Sequence, residues 1–138
     1  LEGLEAEHVH AWSRRRAGMA YTEEEIDAMP GVRQPVVLTH PITCRKTLYV
    51  GSHARDIVGL DRAEGRALID ELVAWVTQPQ YLFSITYAPG DMSIWDNLAS
   101  LHRGGDYDDV NHRRDMRRTT VKSPPGTQVG TVREPLAA

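Results

Sequence analysis

One stretch of this chain holds a helical period long enough to set its architecture: LDRAEGRALIDELVAWVTQ, Leu60 to Gln78. Asp61 stands where an N-cap belongs, and Ala67, Leu68, Leu72, Trp75 and Val76 form an apolar stripe at helical spacing. Elsewhere the apolar residues come in short β-branched or alternating runs cut by Pro and Gly. One amphipathic helix among short strands suits a sheet with a helix packed outside it better than a bundle. The fold class expected is therefore mainly β with flanking helices.

Other elements follow from local chemistry. Leu1 to Arg16 reads as a helix, with Leu4, Val9, Ala11 and Trp12 among its apolar positions and Arg14 to Arg16 at its C-terminal end, where cations suit the macrodipole. Gly18 would end it. TEEE, Thr22 to Glu25, is a capping box opening a short helix that stops by Pro30. QPVVLTHP (Gln34 to Pro41) and CRKTLYVG (Cys44 to Gly51) predict the two strands of a hairpin. QYLFSITYA (Gln80 to Ala88) and MSIWDN (Met92 to Asn97) predict two more strands around a PGD turn, and Arg113 to Val121 a last one. Beyond Ser123 the Pro, Gly and Thr content gives no core pattern. The chain is thus divided into a domain over 1–123 and an irregular tail over 124–138.

At 138 residues, 41% hydrophobic and 25% charged, the chain has the size and composition of one soluble globular domain. A net charge of −3 gives no basic field, so nucleic acid is not an expected partner. No apolar run approaches a membrane span of roughly 18 residues, so no membrane association is expected. One cysteine, Cys44, excludes an internal disulfide and fits a reducing, cytoplasmic setting. The chain starts at Leu1 with an amphipathic pattern already under way, which reads as part of something longer.

The chemistry concentrates in LHRGGDYDDVNHRRDMRRTTV, Leu101 to Val121. His102 follows a predicted strand and precedes a Gly104-Gly105 step. If Arg113 to Val121 is extended, Arg114, Met116 and Arg118 share one face, and Arg113, Asp115 and Arg117 the other. Two guanidiniums on one face beside an imidazole suit a metal with anionic ligands. The competing reading is an edge strand protected by charge, with Asp106, Asp108, Asp109 and Asp115 as its partners. On spacing alone the two readings stand level.

SIWDNLASLHR, the acidic YDD and RRDMRRTTV, in that order, resemble the C-terminal end of the taurine dioxygenase and 2,4-dichlorophenoxyacetate dioxygenase family of Fe(II)- and 2-oxoglutarate-dependent oxygenases. The similarity extends upstream through THP, RKTLYVGSHARDIVG and EGRALIDELVAWVTQPQYLF, over about Leu1 to Val121. RKTLYVGSHA and MRRTTV lean toward the phenoxyalkanoate branch. The resemblance implies the C-terminal portion of a double-stranded β-helix, or jelly roll, with the N-terminal part of the fold outside this chain. It implies that His102 is the distal histidine of a 2-His-1-carboxylate iron site, that Arg114 grips the C5 carboxylate of the co-substrate 2-oxoglutarate, and that Arg118 meets the substrate's carboxylate or sulfonate. His53 in GSHA matches a histidine near the substrate. His40 in THP reads as structural, Trp95, Asp96 and Asn97 read as packing and turn, and His8, His10 and His112 have no motif support. The implied activity is hydroxylation of a small anionic molecule by O2, such as a phenoxyalkanoate or sulfonate, with release of succinate and CO2. A homo-oligomer is also implied, with Trp12 and Trp75 suited to an interface.

One part of the pattern is missing. The family completes its metal site with an upstream His-x-Asp, and this sequence has no His-x-Asp or His-x-Glu. The chain alone is therefore expected to be inactive. Two other classes stay open. One is a catalytically silent jelly-roll binding or scaffold homologue without a complete metal site. The other is a cupin-type metal enzyme, for which His8-Val9-His10 is a poor match if it lies on a helix.

Overall fold

The computed structural model describes residues 1–121 together with 131–132. Its core is an antiparallel sheet in the order β5-β1-β2-β6. The strands are β1 (Glu5–His8), β2 (Val32–Pro35), β5 (Ala54–Ile57) and β6 (Thr131–Val132). A separate hairpin pairs β3 (Val37–Thr39) with β4 (Lys46–Leu48), Leu38 opposite Thr47. Three helices flank these strands: α1 (His10–Arg16), α2 (Glu23–Ala28) and α3 (Arg62–Val76).

The N-terminal segment departs from the single helix expected over Leu1 to Arg16. Glu5–His8 is a strand with ladder partners on both sides, Ala6 facing Gln34 on β2 and Ile57 on β5. Only His10–Arg16 is helical. The physical reason is long-range: Ala6 is fully buried, and Glu7 pairs with the buried Arg55 Nη2 at 2.7 Å. A local period cannot register either partner. A register shift against β5 between Glu7 and His8 then turns the chain toward α1.

The other upstream elements form close to their expected places. Thr22 and Glu25 close a reciprocal capping box over α2. Asp61 caps α3 through the Ala63 amide at 2.8 Å. The face that α3 buries is centred on Gly65 and Ile69, with Leu68, Leu72 and Val73 beside them. Ala67 and Trp75 lie outside that face, Trp75 being 51% exposed against Tyr81. Gly65 lets the helix settle on β5, because a Cβ there would stand 2.9 Å from the Ile57 nitrogen. The expected strand Gln34 to Pro41 divides at Val36 between β2 and β3, and Cys44 closes the hairpin turn at a φ of 56°.

Two apolar clusters result. Ala6, Val36, Val50, Ala54, Ile57 and Ile69 form the larger, between sheet and α3. Val9, Ala11 and Ile26 form the smaller, with Trp12, Tyr21 and Met29 packed on it. An ionic web lies beside them. Arg55, 2% exposed, bonds Glu7, Asp27 and Asp56, while Arg62 and Arg66 extend the web to Glu23. Trp12 lies under the Arg66 guanidinium at 4.4 Å, a cation–π contact within the chain.

The segments expected as strands over Gln80 to Ala88, Met92 to Asn97 and Arg113 to Val121 do not form ladders. Pro79–Tyr81 is a 3-10 turn, and 82–121 contains no helix or strand. Strand propensity needs a neighbouring strand to bond to, and the described residues supply none there. Phe83 and Ile94 are 86% and 87% exposed. The PGD turn does form, with Gly90 at a φ of 94° and the Asp91 carboxylate accepting the Ala88 amide. In the 124–138 tail, Thr131–Val132 pairs with β2; the rest of that tail lies outside the described residues. No helix among the described residues is long and apolar enough to cross a membrane.

Candidate active site

The segment carrying His102 is held at its base by the β3–β4 hairpin. His40, only 3% exposed, follows β3. Its Nδ1 accepts the amides of Ile42 and Thr43 at 3.3 and 3.1 Å. A nitrogen accepting two amides carries no proton, so the proton sits on Nε2 and is donated to Asp96 Oδ2 at 2.8 Å. This bond holds the Asp96 carboxyl below the usual carboxylate range, with help from the Leu98 amide. The THP histidine is thus structural, as its sequence suggested, but its structure reaches into the WDN segment.

Asp96 in turn shapes the approach to His102. Its Oδ1 accepts the Leu98 amide at 2.8 Å, and its carbonyl accepts the Ser100 amide and hydroxyl at 3.0 and 2.6 Å. Next, the Leu101 side chain stands where a Cβ on Gly51 would meet it at 3.5 Å. The His102 ring tilts against Trp95, with centroids 4.8 Å apart. Trp95 is itself tied to Asn97 Oδ1 through its indole N–H.

Arg114 returns to this loop. Its guanidinium nitrogens lie 3.6 and 3.8 Å from where a Gly104 Cβ would stand. The cation sits 5.6 Å over Tyr107, and its Nε donates to Met116 Sδ. No strand runs over Arg113 to Val121, so the expected sharing of a face by Arg114 and Arg118 is not enforced by a ladder. The edge-strand alternative likewise has no ladder to rest on among the described residues. Its acidic partners are mostly engaged elsewhere or unpaired: Asp108 binds Asn111 and its own turn, and the one ion pair within 101–121 is an exposed Arg113–Asp115 contact at 3.9 Å. Among the described residues, neither Arg114 nor Arg118 is ion-paired.

His53 lies in the turn entering β5, two residues after Gly51. Its ring stacks on His10 at 5.4 Å, and its carbonyl accepts the Val9 amide. Burial, then His10, lowers its pKa. Burial and the neighbouring His53 push His8 down to about 4, and the His8 ring tilts on Tyr49. Sequence reasoning missed this grouping. The visible signal was His8-Val9-His10, set aside because it was placed on a helix; His8 in fact ends β1 and His10 opens α1. Arg14 Nε donates to His10 Nε2 at 2.8 Å, which occupies that lone pair.

Among the described residues neither this cluster nor any other makes a complete metal centre. Among the described residues no group of three His, Cys, Asp or Glu side chains could hold a metal ion. A shallow cavity of about 240 Å³ is lined by Trp12, Arg16, Ala54, Arg55, Arg66, Ile69 and Asp70, and none of His53, His102, Arg114 and Arg118 borders it. Its cations are already matched, Arg16 by Asp70 and Arg66 by Glu23.

Residues 1–120 match the family profile described as taurine catabolism dioxygenase TauD, TfdA family. The chain is 44% identical over 122 residues to an alpha-ketoglutarate-dependent 2,4-dichlorophenoxyacetate dioxygenase of Burkholderia sp. (strain RASC), covering 88% of this chain and 41% of the relative. It is 30% identical over 135 residues to an (S)-phenoxypropionate/alpha-ketoglutarate-dioxygenase of Sphingobium herbicidovorans, covering 93% and 47%. Among solved structures, AAD-2 in complex with Mn(II) and N-oxalylglycine superposes with a TM-score of 0.55 at 37% identity, over 62% of this chain and 34% of that one. The chain therefore spans less than half the length of these relatives.

Proposed function

This chain belongs to the TauD/TfdA dioxygenase family, and from that premise we propose that it supplies the C-terminal portion of the jelly roll of an Fe(II)- and 2-oxoglutarate-dependent dioxygenase. The substrate class is a small anionic molecule of phenoxyalkanoate type, hydroxylated with O2 as 2-oxoglutarate goes to succinate and CO2. The observation that carries this reading is 44% identity over 122 residues, 88% of this chain. The likeness to relatives named for 2,4-dichlorophenoxyacetate and (S)-phenoxypropionate favours that branch over sulfonates.

The described residues do not by themselves fit an iron ion. A facial site takes two histidines and a carboxylate, and this chain offers His102 toward it. His102 contributes one imidazole. Arg114, uncommitted to any carboxylate among the described residues, holds the far carboxylate of 2-oxoglutarate in bidentate fashion. Arg118 orients the substrate's anionic group, and His53 borders the substrate. Bound this way, both reactants lose their translational freedom before reaction. The apolar ribbon over 82–121 finds its ladder partners in the remainder of the domain. The silent-scaffold alternative is not favoured, because the relatives that the chain matches are named as dioxygenases.

The test is 2-oxoglutarate consumption by the complete enzyme carrying this chain, with 2,4-dichlorophenoxyacetate and (S)-phenoxypropionate as probes. His102→Ala is expected to abolish turnover and to leave the fold intact by circular dichroism. Undiminished turnover would remove His102 from the metal site. The 138-residue chain alone is expected to show none.

A further inference from the structure

We propose that His40 is a positioning residue for the His102 loop, acting through Asp96; its bearing on the metal rests on the function proposed above. Two backbone amides of the hairpin turn point at Nδ1, so the ring is fixed in place and its only proton faces outward on Nε2. The acceptor of that proton is a carboxylate 56 positions along the chain, at 2.8 Å. A bond from a buried ring to an ionised group is of the stronger kind.

Asp96 then distributes the hold over the next turn. One carboxylate oxygen faces His40 and the other takes the Leu98 amide. The Asp96 carbonyl takes both polar hydrogens of Ser100. Two residues later comes His102, resting on Trp95 beside Asp96. No ladder orders 82–121 in this structure, so these local bonds, together with the Leu101 contact on Gly51, set the course of the backbone into His102. Groups that orient a metal-binding imidazole from behind change metal affinity by about 10–100-fold when lost.

The two halves of the His40 ring separate by substitution. In His40→Asn the side-chain oxygen can still accept the turn amides, but nothing reaches Asp96. In His40→Gln the amide N–H can reach Asp96, while the turn loses its acceptor. Asp96→Asn attacks the same bond from a half-exposed residue. The readout is amide hydrogen exchange in the 138-residue chain, followed residue by residue by NMR. His40→Asn and Asp96→Asn are expected to speed exchange at Leu98 and Ser100 by about tenfold or more, and His40→Gln to keep both near wild type. Unchanged exchange at Leu98 and Ser100 in both His40→Asn and Asp96→Asn would overturn the proposal. So would equal acceleration in His40→Asn and His40→Gln, which marks a general loss of structure.

A second measurement, Mn(II) affinity of the complete enzyme, addresses the metal. His40→Asn is expected to weaken it by about tenfold, with recovery in His40→Gln and loss in His102→Ala. Wild-type affinity in His40→Asn alongside loss in His102→Ala would overturn the positioning role. Wild-type affinity in His102→Ala would instead overturn the functional reading, and the exchange data would still judge His40.

Discussion

At the scale of single residues, the two arginines of MRRTT and its approach carry separable expectations. Arg114→Ala in the complete enzyme should raise the KM for 2-oxoglutarate far more than that for substrate. A lost, buried bidentate contact costs about 2–5 kcal/mol, which is roughly 30-fold or more in affinity. Arg118→Ala should weaken the prime substrate and let succinate form without matching hydroxylation. Arg113→Ala and Arg117→Ala should change neither, and steady-state kinetics on all four would show a purely structural cluster if they fell equally. A pH effect belongs to this scale as well. His8 is held neutral by burial, its pKa near 4 against an ordinary 6.5. Above pH 6.5 it costs nothing. Below that the unfolded chain takes a proton that the folded chain refuses, so stability falls as pH drops from 6.5 toward 4. The loss reaches about 3 kcal/mol, and His53, lowered by burial and by His10, adds in the same direction. Urea midpoints measured across that window should fall, and His8→Phe should flatten the slope; an unchanged slope would acquit His8.

At the scale of elements, the contact of α3 with β5 gives the sharpest expectation. Gly65 sits in a helix interior, where Ala is intrinsically better by about 1 kcal/mol. Here a Cβ would press within 2.9 Å of the Ile57 backbone nitrogen, which cannot swing aside. Overpacking of this kind costs about 1–3 kcal/mol, so steric strain outweighs propensity and Gly65→Ala should lower the thermal midpoint. A midpoint that rises would mean the helix can slide on the sheet. The same scale explains the one element misplaced upstream. Glu5-Ala6-Glu7 favours a helix by intrinsic propensity, and two flanking ladders with a buried Arg55–Glu7 pair override both that and the helical spacing of Leu4, Val9 and Trp12.

For the molecule as a whole, order is uneven along the chain. Residues 5–76 hold the three helices, both clusters and every described strand but β6, whereas 82–121 runs without a ladder and exposes Phe83, Met92, Ile94 and Val110. An apolar surface of that length is unusual for a self-sufficient domain. Limited trypsin digestion of the chain should therefore cut first after Arg103, Arg113, Arg114, Arg117 or Arg118. First cuts at Arg62 or Arg66, within α3, would place the weakness elsewhere. In the complete enzyme the arginine sites should become protected as neighbouring strands pair with them.

What depends on near neighbours was determined by the sequence alone. The Thr22 capping box, the Asp61 cap, the hairpin turn and the PGD turn all close within a few residues, so their chemistry is written locally. The ordered motifs around His102, Arg114 and Arg118 likewise carried the family. What depends on distant partners only the tertiary structure decided. That a strand opens the chain, that Gly65 and Ile69 face inward in place of Ala67 and Trp75, and that His40 grips Asp96 each require a contact dozens of residues away. The strands expected over 80–97 and 113–121 make the same point in reverse: alternation prepares a segment to pair, but the ladder bonds that make it a strand come from another segment.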